Sequence, residues 1–105
     1  MLNNVQIALP LAAIGDYCRQ NGIARLSLFG SALRGDFTSD SDVDLLVEFT
    51  AGTPVGYFRL VEIQQDLATL IGRRVDLLTR GAISRYFRDD VLATAEVIYE
   101  ARSSE

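Results

Sequence analysis

Apolar residues along this chain recur first at helical and then at strand spacing. Ile7, Leu11, Ile14 and Cys18 fall on one face at three- and four-residue intervals, which predicts a helix over Leu11 to Asn21. Gly22 follows where a left-handed cap is often needed. From Ile23 to Phe29 the pattern alternates, with Ile23, Leu26 and Leu28 apolar and Arg25 and Ser27 less so, and a strand is expected. Ser31 to Arg34 can form a short turn of helix before Gly35, and Val43 to Phe49 is apolar enough for a strand central in a sheet. Ala51 to Pro54 is expected as a loop, with Pro54 stopping the strand from continuing.

The longest helix is expected over Gly56 to Ile71, with Phe58, Val61, Leu67, Leu70 and Ile71 buried and Glu62, Gln65 and Asp66 facing out. Gly72 caps it. Val75 to Thr79 reads as a third strand, parallel to the second because a helical crossover joins them. A short helix around Arg85 to Ala95 and an edge strand at Val97 to Tyr99 complete the pattern. The expected fold is α/β: a small mixed β-sheet with helices packed mainly on one face.

Composition narrows the chemistry. The chain has 105 residues, a length that fits a single domain over 1–105 with one core. No stretch approaches the ~20 apolar residues needed to cross a bilayer, and the N-terminus lacks a signal-peptide pattern. With Cys18 alone no internal disulfide forms, so a reducing cytoplasm is expected. Histidine is absent, which removes Ser-His-Asp and Cys-His catalysis and His-ligated zinc. Lysine is absent too, since all ten basic residues are arginines; a Walker-type loop and Schiff-base chemistry are excluded. Acid–base or metal work is left to the 14 Asp and Glu residues. A formal charge of −4 argues against general nucleic-acid binding.

The densest candidate chemistry lies between Gly30 and Asp44: a Gly30-Ser31 turn, a ten-residue spacer, then Asp42-Val43-Asp44 opening the apolar run to Phe49. A strand has period two, so Asp42 and Asp44 project from one face about 6–7 Å apart while Val43, Leu45 and Val47 face the other way. Two such carboxylates can share divalent cations. Asp76 likewise opposes Val75 and Leu77 on the third strand. Ordinary turn chemistry accounts for Asp40 and Ser41. An EF-hand reading of Asp40, Asp42 and Asp44 fails, because Leu45 stands where glycine is needed and Ala51 where glutamate is needed. Gly30 and Ser31 either cradle phosphates with backbone amides and the hydroxyl or form a plain strand-to-helix turn. Arg34 is either the cation for a triphosphate or a solvated surface residue; Arg73 and Arg74 read as surface residues, and Tyr57 and Phe58 as packing.

This pattern resembles the DNA-polymerase-β-like nucleotidyltransferases, whose signature is a hydrophobic residue, glycine and Gly or Ser, a spacer, and Asp-x-Asp or Asp-x-Glu, with a third acidic residue on a later strand. More narrowly it is similar to the minimal nucleotidyltransferase (MNT) antitoxins of HEPN–MNT toxin–antitoxin pairs, over Leu26 to Leu78. The resemblance implies two Mg²⁺ ions, with Asp42 and Asp44 contacting both and Asp76 contacting the one on the nucleophile side. It also implies that Gly30, Ser31 and Arg34 bind the triphosphate of an ATP donor.

The function so implied is that of a type VII antitoxin: a protein adenylyltransferase that moves AMP from ATP to a tyrosine of a HEPN ribonuclease toxin. Two alternatives stand beside it, an antitoxin acting by contact alone and a small-molecule nucleotidyltransferase resembling the aminoglycoside-modifying enzymes. No further domain is seen to grip the base or the acceptor, so the acceptor site is expected to come from the partner.

Overall fold

The computed structural model describes residues 9–30, 42–52, 54–83 and 85–101. Among the described residues, three helices and four strands follow one another as α1 (Leu11–Gln20), β1 (Ile23–Phe29), β2 (Val43–Phe49), α2 (Tyr57–Ile71), β3 (Val75–Leu78), α3 (Arg88–Thr94) and β4 (Glu96–Glu100), with a 3-10 turn at Arg80–Ala82 before α3. Both expected glycine stops occur: Gly22 follows α1 at φ 71 and Gly72 closes α2 at φ 79, a backbone region that costs a residue with a Cβ. The expected helical turn over Ser31 to Arg34, like Ile7, lies outside the described residues.

The sheet order is β3-β2-β1-β4. β1 runs antiparallel to both β2 and β4, while β2 and β3 are parallel, as a helical crossover requires. α1 packs against β1 and β4 and α2 against β3, so these two helices cover one face. Between them and the sheet lies the core of Ile14 and Cys18 from α1, Ile23, Leu26 and Leu28 from β1, Val43, Leu45 and Val47 from β2, Ile63 and Leu67 from α2, and Val75 and Leu77 from β3. Each fully buried aliphatic side chain contributes on the order of 1.5–3 kcal/mol. Ile23 and Leu26 both reach this core although three residues apart, because a bulge between Ile23 and Arg25 restores the phase.

The phase of α2 differs from the expectation at its start. Phe58 is 88 % exposed, and the stripe that packs on the sheet runs through Leu60, Ile63, Leu67 and Leu70. At about 100° per residue, the nine positions from Phe58 to Leu67 place the two side chains about 180° apart, so one helix cannot bury both on one face. Tyr57 is exposed as well and meets Phe58 edge-on, 5.9 Å between ring centroids, rather than packing into the core. On α1, Leu11 shares the stripe of Ile14 and Cys18 but stands in the first turn, where it is partly exposed. No helix among the described residues is long and apolar enough to cross a membrane.

The opposite face of the sheet carries the alternate positions of β2. Leu46 and Ser27, neighbours across β1 and β2, are nonetheless buried, so this face is also covered in part. Ile83, just after the 3-10 turn, is buried outside the main core. The far end is charged and paired: Arg25 bridges Glu48 at 3.3 Å and Glu100 at 2.8 Å.

Candidate active site

β2 and β3 bring the acidic residues together. Their register sets Asp44 directly beside Asp76, with Val43 beside Val75 and Leu45 beside Leu77. Since Val43, Leu45, Val75 and Leu77 all point into the core, Asp44 and Asp76 share the opposite face. β3 is an edge strand, and an edge strand needs its outward backbone groups satisfied. Gln64 of α2 does this by accepting the Leu77 N–H at 2.9 Å, which ties the residue after Asp76 to the helix.

Asp42 stands one residue ahead of β2, at the mouth of this acidic pair. Its Oδ1 accepts from Arg74 Nε at 2.9 Å, and the Val43 N–H donates to the Arg74 carbonyl at 2.8 Å. Arg74, which reads from sequence as a plain surface residue, is therefore the counter-charge at the first candidate ligand. Among the described residues no three acidic side chains are gathered closely enough to hold a metal ion. Electrostatics explains the arrangement: converging carboxylates repel, and an arginine beside one of them lowers that repulsion. The donor set still suits Mg²⁺, which takes one or two protein carboxylates and completes its shell with phosphate oxygens and water.

Gly30 faces the same spot from the end of β1. Phe29 pairs with Asp44 across the sheet, and Gly30 follows at φ 75. A Cβ built on Gly30 would overlap Asp44 Oδ2 and lie 3.1 Å from its Cγ. Glycine is thus required twice at this position, once by the backbone and once by the carboxylate it abuts. Without a side chain at Gly30 the Asp44 carboxylate can lie against the backbone, so that a phosphate arriving there would meet backbone and carboxylate together. Ser31 and Arg34, the other candidate phosphate contacts, lie outside the described residues.

A cleft of about 390 Å³ opens from this point, lined by Phe29, Gly30 and Asp44 on the sheet side and by Phe87, Asp90, Val91 and Thr94 on the α3 side. Nothing in the periodicity of Arg85 to Ala95 marks it, since α3 meets Asp44 only through the tertiary fold. Two titratable groups elsewhere are shifted without any part in this site. Burial pushes the Cys18 thiol up to about 12, as suits a core residue. Tyr17 is also raised, first by burial and then by donating to Asp66 at 2.7 Å, a bond that joins α1 to α2.

Comparison with known proteins bears on the same segment. The nucleotidyltransferase domain family matches residues 12–99. The protein adenylyltransferase MntA of Thermococcus cleftensis is 35 % identical over 78 residues, covering 74 % of this chain and 75 % of its own. A chain from a toxin–antitoxin crystal structure with AMP-PNP superposes with a TM-score of 0.71 at 22 % identity, over 91 % of this chain and 77 % of its own. Another, from the complex of a tri-AMPylated Shewanella oneidensis HEPN toxin with an MNT antitoxin, has a TM-score of 0.63 at 21 % identity, over 90 % and 72 %. At those identities the two structures speak to the fold alone.

Proposed function

Because this chain belongs to the nucleotidyltransferase domain family, we propose that it is an antitoxin that transfers AMP from ATP to a tyrosine of a cognate HEPN ribonuclease toxin. The observation that carries this reading is the side-by-side register of Asp44 and Asp76, with Gly30 set directly against the Asp44 carboxylate. Its support from relatives is the activity named for the Thermococcus enzyme, and the AMP-PNP and the AMPylated HEPN toxin of the two structural neighbours.

In this reading Asp42, Asp44 and Asp76 would hold two Mg²⁺ ions. Bound there, Mg²⁺ supplies charge neutralisation for the triphosphate and a lowered pKa for the acceptor hydroxyl. The tyrosine oxygen attacks the α-phosphorus, the new O–P bond replaces the bond to the β-phosphate oxygen, and pyrophosphate departs. Asp76 takes the phenolic proton. Gly30 admits the phosphates at close range, and Ser31 and Arg34 hold their outer oxygens. Arg74 offsets the charge of Asp42 in the absence of a bound cation.

The test is the mass of the toxin. Incubated with ATP and Mg²⁺, a cognate HEPN toxin should gain one AMP residue or a small multiple from substoichiometric amounts of this protein. It should gain nothing from the Asp42→Asn/Asp44→Asn variant. A toxin of unchanged mass, still neutralised one-to-one by that double variant, would establish inhibition by contact instead.

A further inference from the structure

We propose that the cleft between Asp44 and α3 is a nucleoside subsite, with Phe87 as the surface on which the base stacks and Asp90 as an acceptor for hydrogens of the base or ribose. The proposal rests on the reading of this site as one that binds a nucleoside triphosphate, and it assigns the part of that ligand which the acidic residues leave unrecognised.

Position is the first argument. Gly30 and Asp44 form one wall of the cleft and are the residues assigned to the reacting phosphate in the proposed function. The cleft opens from these two residues, so a group bonded to that phosphate can enter it. Its volume of about 390 Å³ falls within the ~300–1,000 Å³ usual for small-ligand sites. That is roomier than the single phenol ring of an acceptor tyrosine requires.

The lining fits a nucleoside chemically. Phe29, Phe87 and Val91 are apolar, and Asp90 and Thr94 are polar. Phe87 is 63 % exposed, a large aromatic face open to solvent beside a functional site. Asp90 lies three residues on, close to one helical turn, and therefore on the same side. Its carboxylate has no hydrogen bond or ion pair among the described residues, so its acceptor capacity is available. The Asp90 carbonyl accepts from Thr94 Oγ1 at 2.8 Å, which commits the Thr94 proton and leaves that hydroxyl as a further acceptor. An apolar plane bordered by acceptors suits a flat base whose edge and sugar carry N–H and O–H donors. In this way α3, from the same domain as the acidic residues, would grip the nucleoside.

Calorimetric titration with AMP-PNP and, separately, with inorganic tripolyphosphate tests this on the full chain. Phe87→Ala should weaken AMP-PNP roughly 5- to 150-fold, the range for losing one base–aromatic stack. Tripolyphosphate binding should be unchanged, and Phe87→Tyr should restore the nucleotide affinity. Asp90→Ala should also weaken AMP-PNP selectively. Circular dichroism checks that these exposed substitutions leave the fold intact. Unchanged AMP-PNP affinity in both alanine variants, with a raised KM for toxin, would make the cleft an acceptor site and overturn the proposal. An equal loss for both ligands would overturn it too, as a disturbance of the phosphate region. Wild-type protein that binds neither ligand would refute nucleotide transfer itself, an outcome distinct from failure of the subsite.

Discussion

Replacing Gly30 by alanine combines two costs, of which Gly72 carries only the first. Gly72, at φ 79 with nothing within 4 Å of a built Cβ, isolates the backbone cost. Alanine there should lose about 1–2 kcal/mol, the usual penalty for an L-residue in the left-handed region. At Gly30 the backbone angle is nearly the same, but the new Cβ overlaps Asp44 Oδ2. Asp44 sits on a central strand held by neighbours on both sides, so the backbone cannot retreat and the carboxylate must rotate away.

Overpacking of this kind adds about 1–3 kcal/mol. Gly30→Ala should therefore lose roughly 2–5 kcal/mol in urea unfolding, against roughly 1–2 for Gly72→Ala. Its AMP transfer should be abolished while Gly72→Ala retains full activity. Adding Asp44→Ala to Gly30→Ala should recover the excess loss of stability but no activity. Equal stabilities for the two single variants, with transfer preserved in Gly30→Ala, would refute the claim that Gly30 exists to make room at Asp44.

Gln64→Leu should cost about 1–3 kcal/mol by leaving the Leu77 N–H of the edge strand unpaired, and hydrogen exchange at Leu77 should quicken. Arg74→Met should tighten Mn²⁺ binding, read by paramagnetic resonance, by up to about fivefold, because an exposed pair such as Arg74–Asp42 is worth at most about 1 kcal/mol; weaker binding would show that Arg74 assists the ion. For Cys18 the folded value is raised from 9.0 to about 12 by burial, against a small opposing effect of Arg19. The native state then holds the thiol proton more tightly, so this contribution to stability is intact below pH 9 and is lost between pH 9 and 12. Unfolding curves should show that decline in the wild type and a smaller one in Cys18→Val, the remainder coming from the raised Tyr17.

Much of the fold is legible in local periodicity. The spans of α1, β1, β2, α2 and β3 agree with the apolar spacing to within a residue at either end, because burial on a helix or strand repeats at the element's own period. The side on which Asp44 and Asp76 project is equally readable, since their neighbours Val43, Leu45, Val75 and Leu77 are unambiguous core residues. At the start of α2 the same reasoning fails for Phe58. Hydrophobicity alone suggests burial there, but the helical angle to Leu67 forbids it.

What periodicity decides is the face on which a side chain lies; what it leaves open is which strand stands next to that face, and at what offset. The pairing of Asp44 with Asp76, the approach of Gly30 to the Asp44 carboxylate, the Arg74–Asp42 ion pair and the α3 wall of the cleft all join segments distant in the chain. Each follows from register and packing between elements. Those are settled only when the sheet closes around its core, with the apolar sides of β2 and β3 driven under α1 and α2 and their carboxylates left together on the other side.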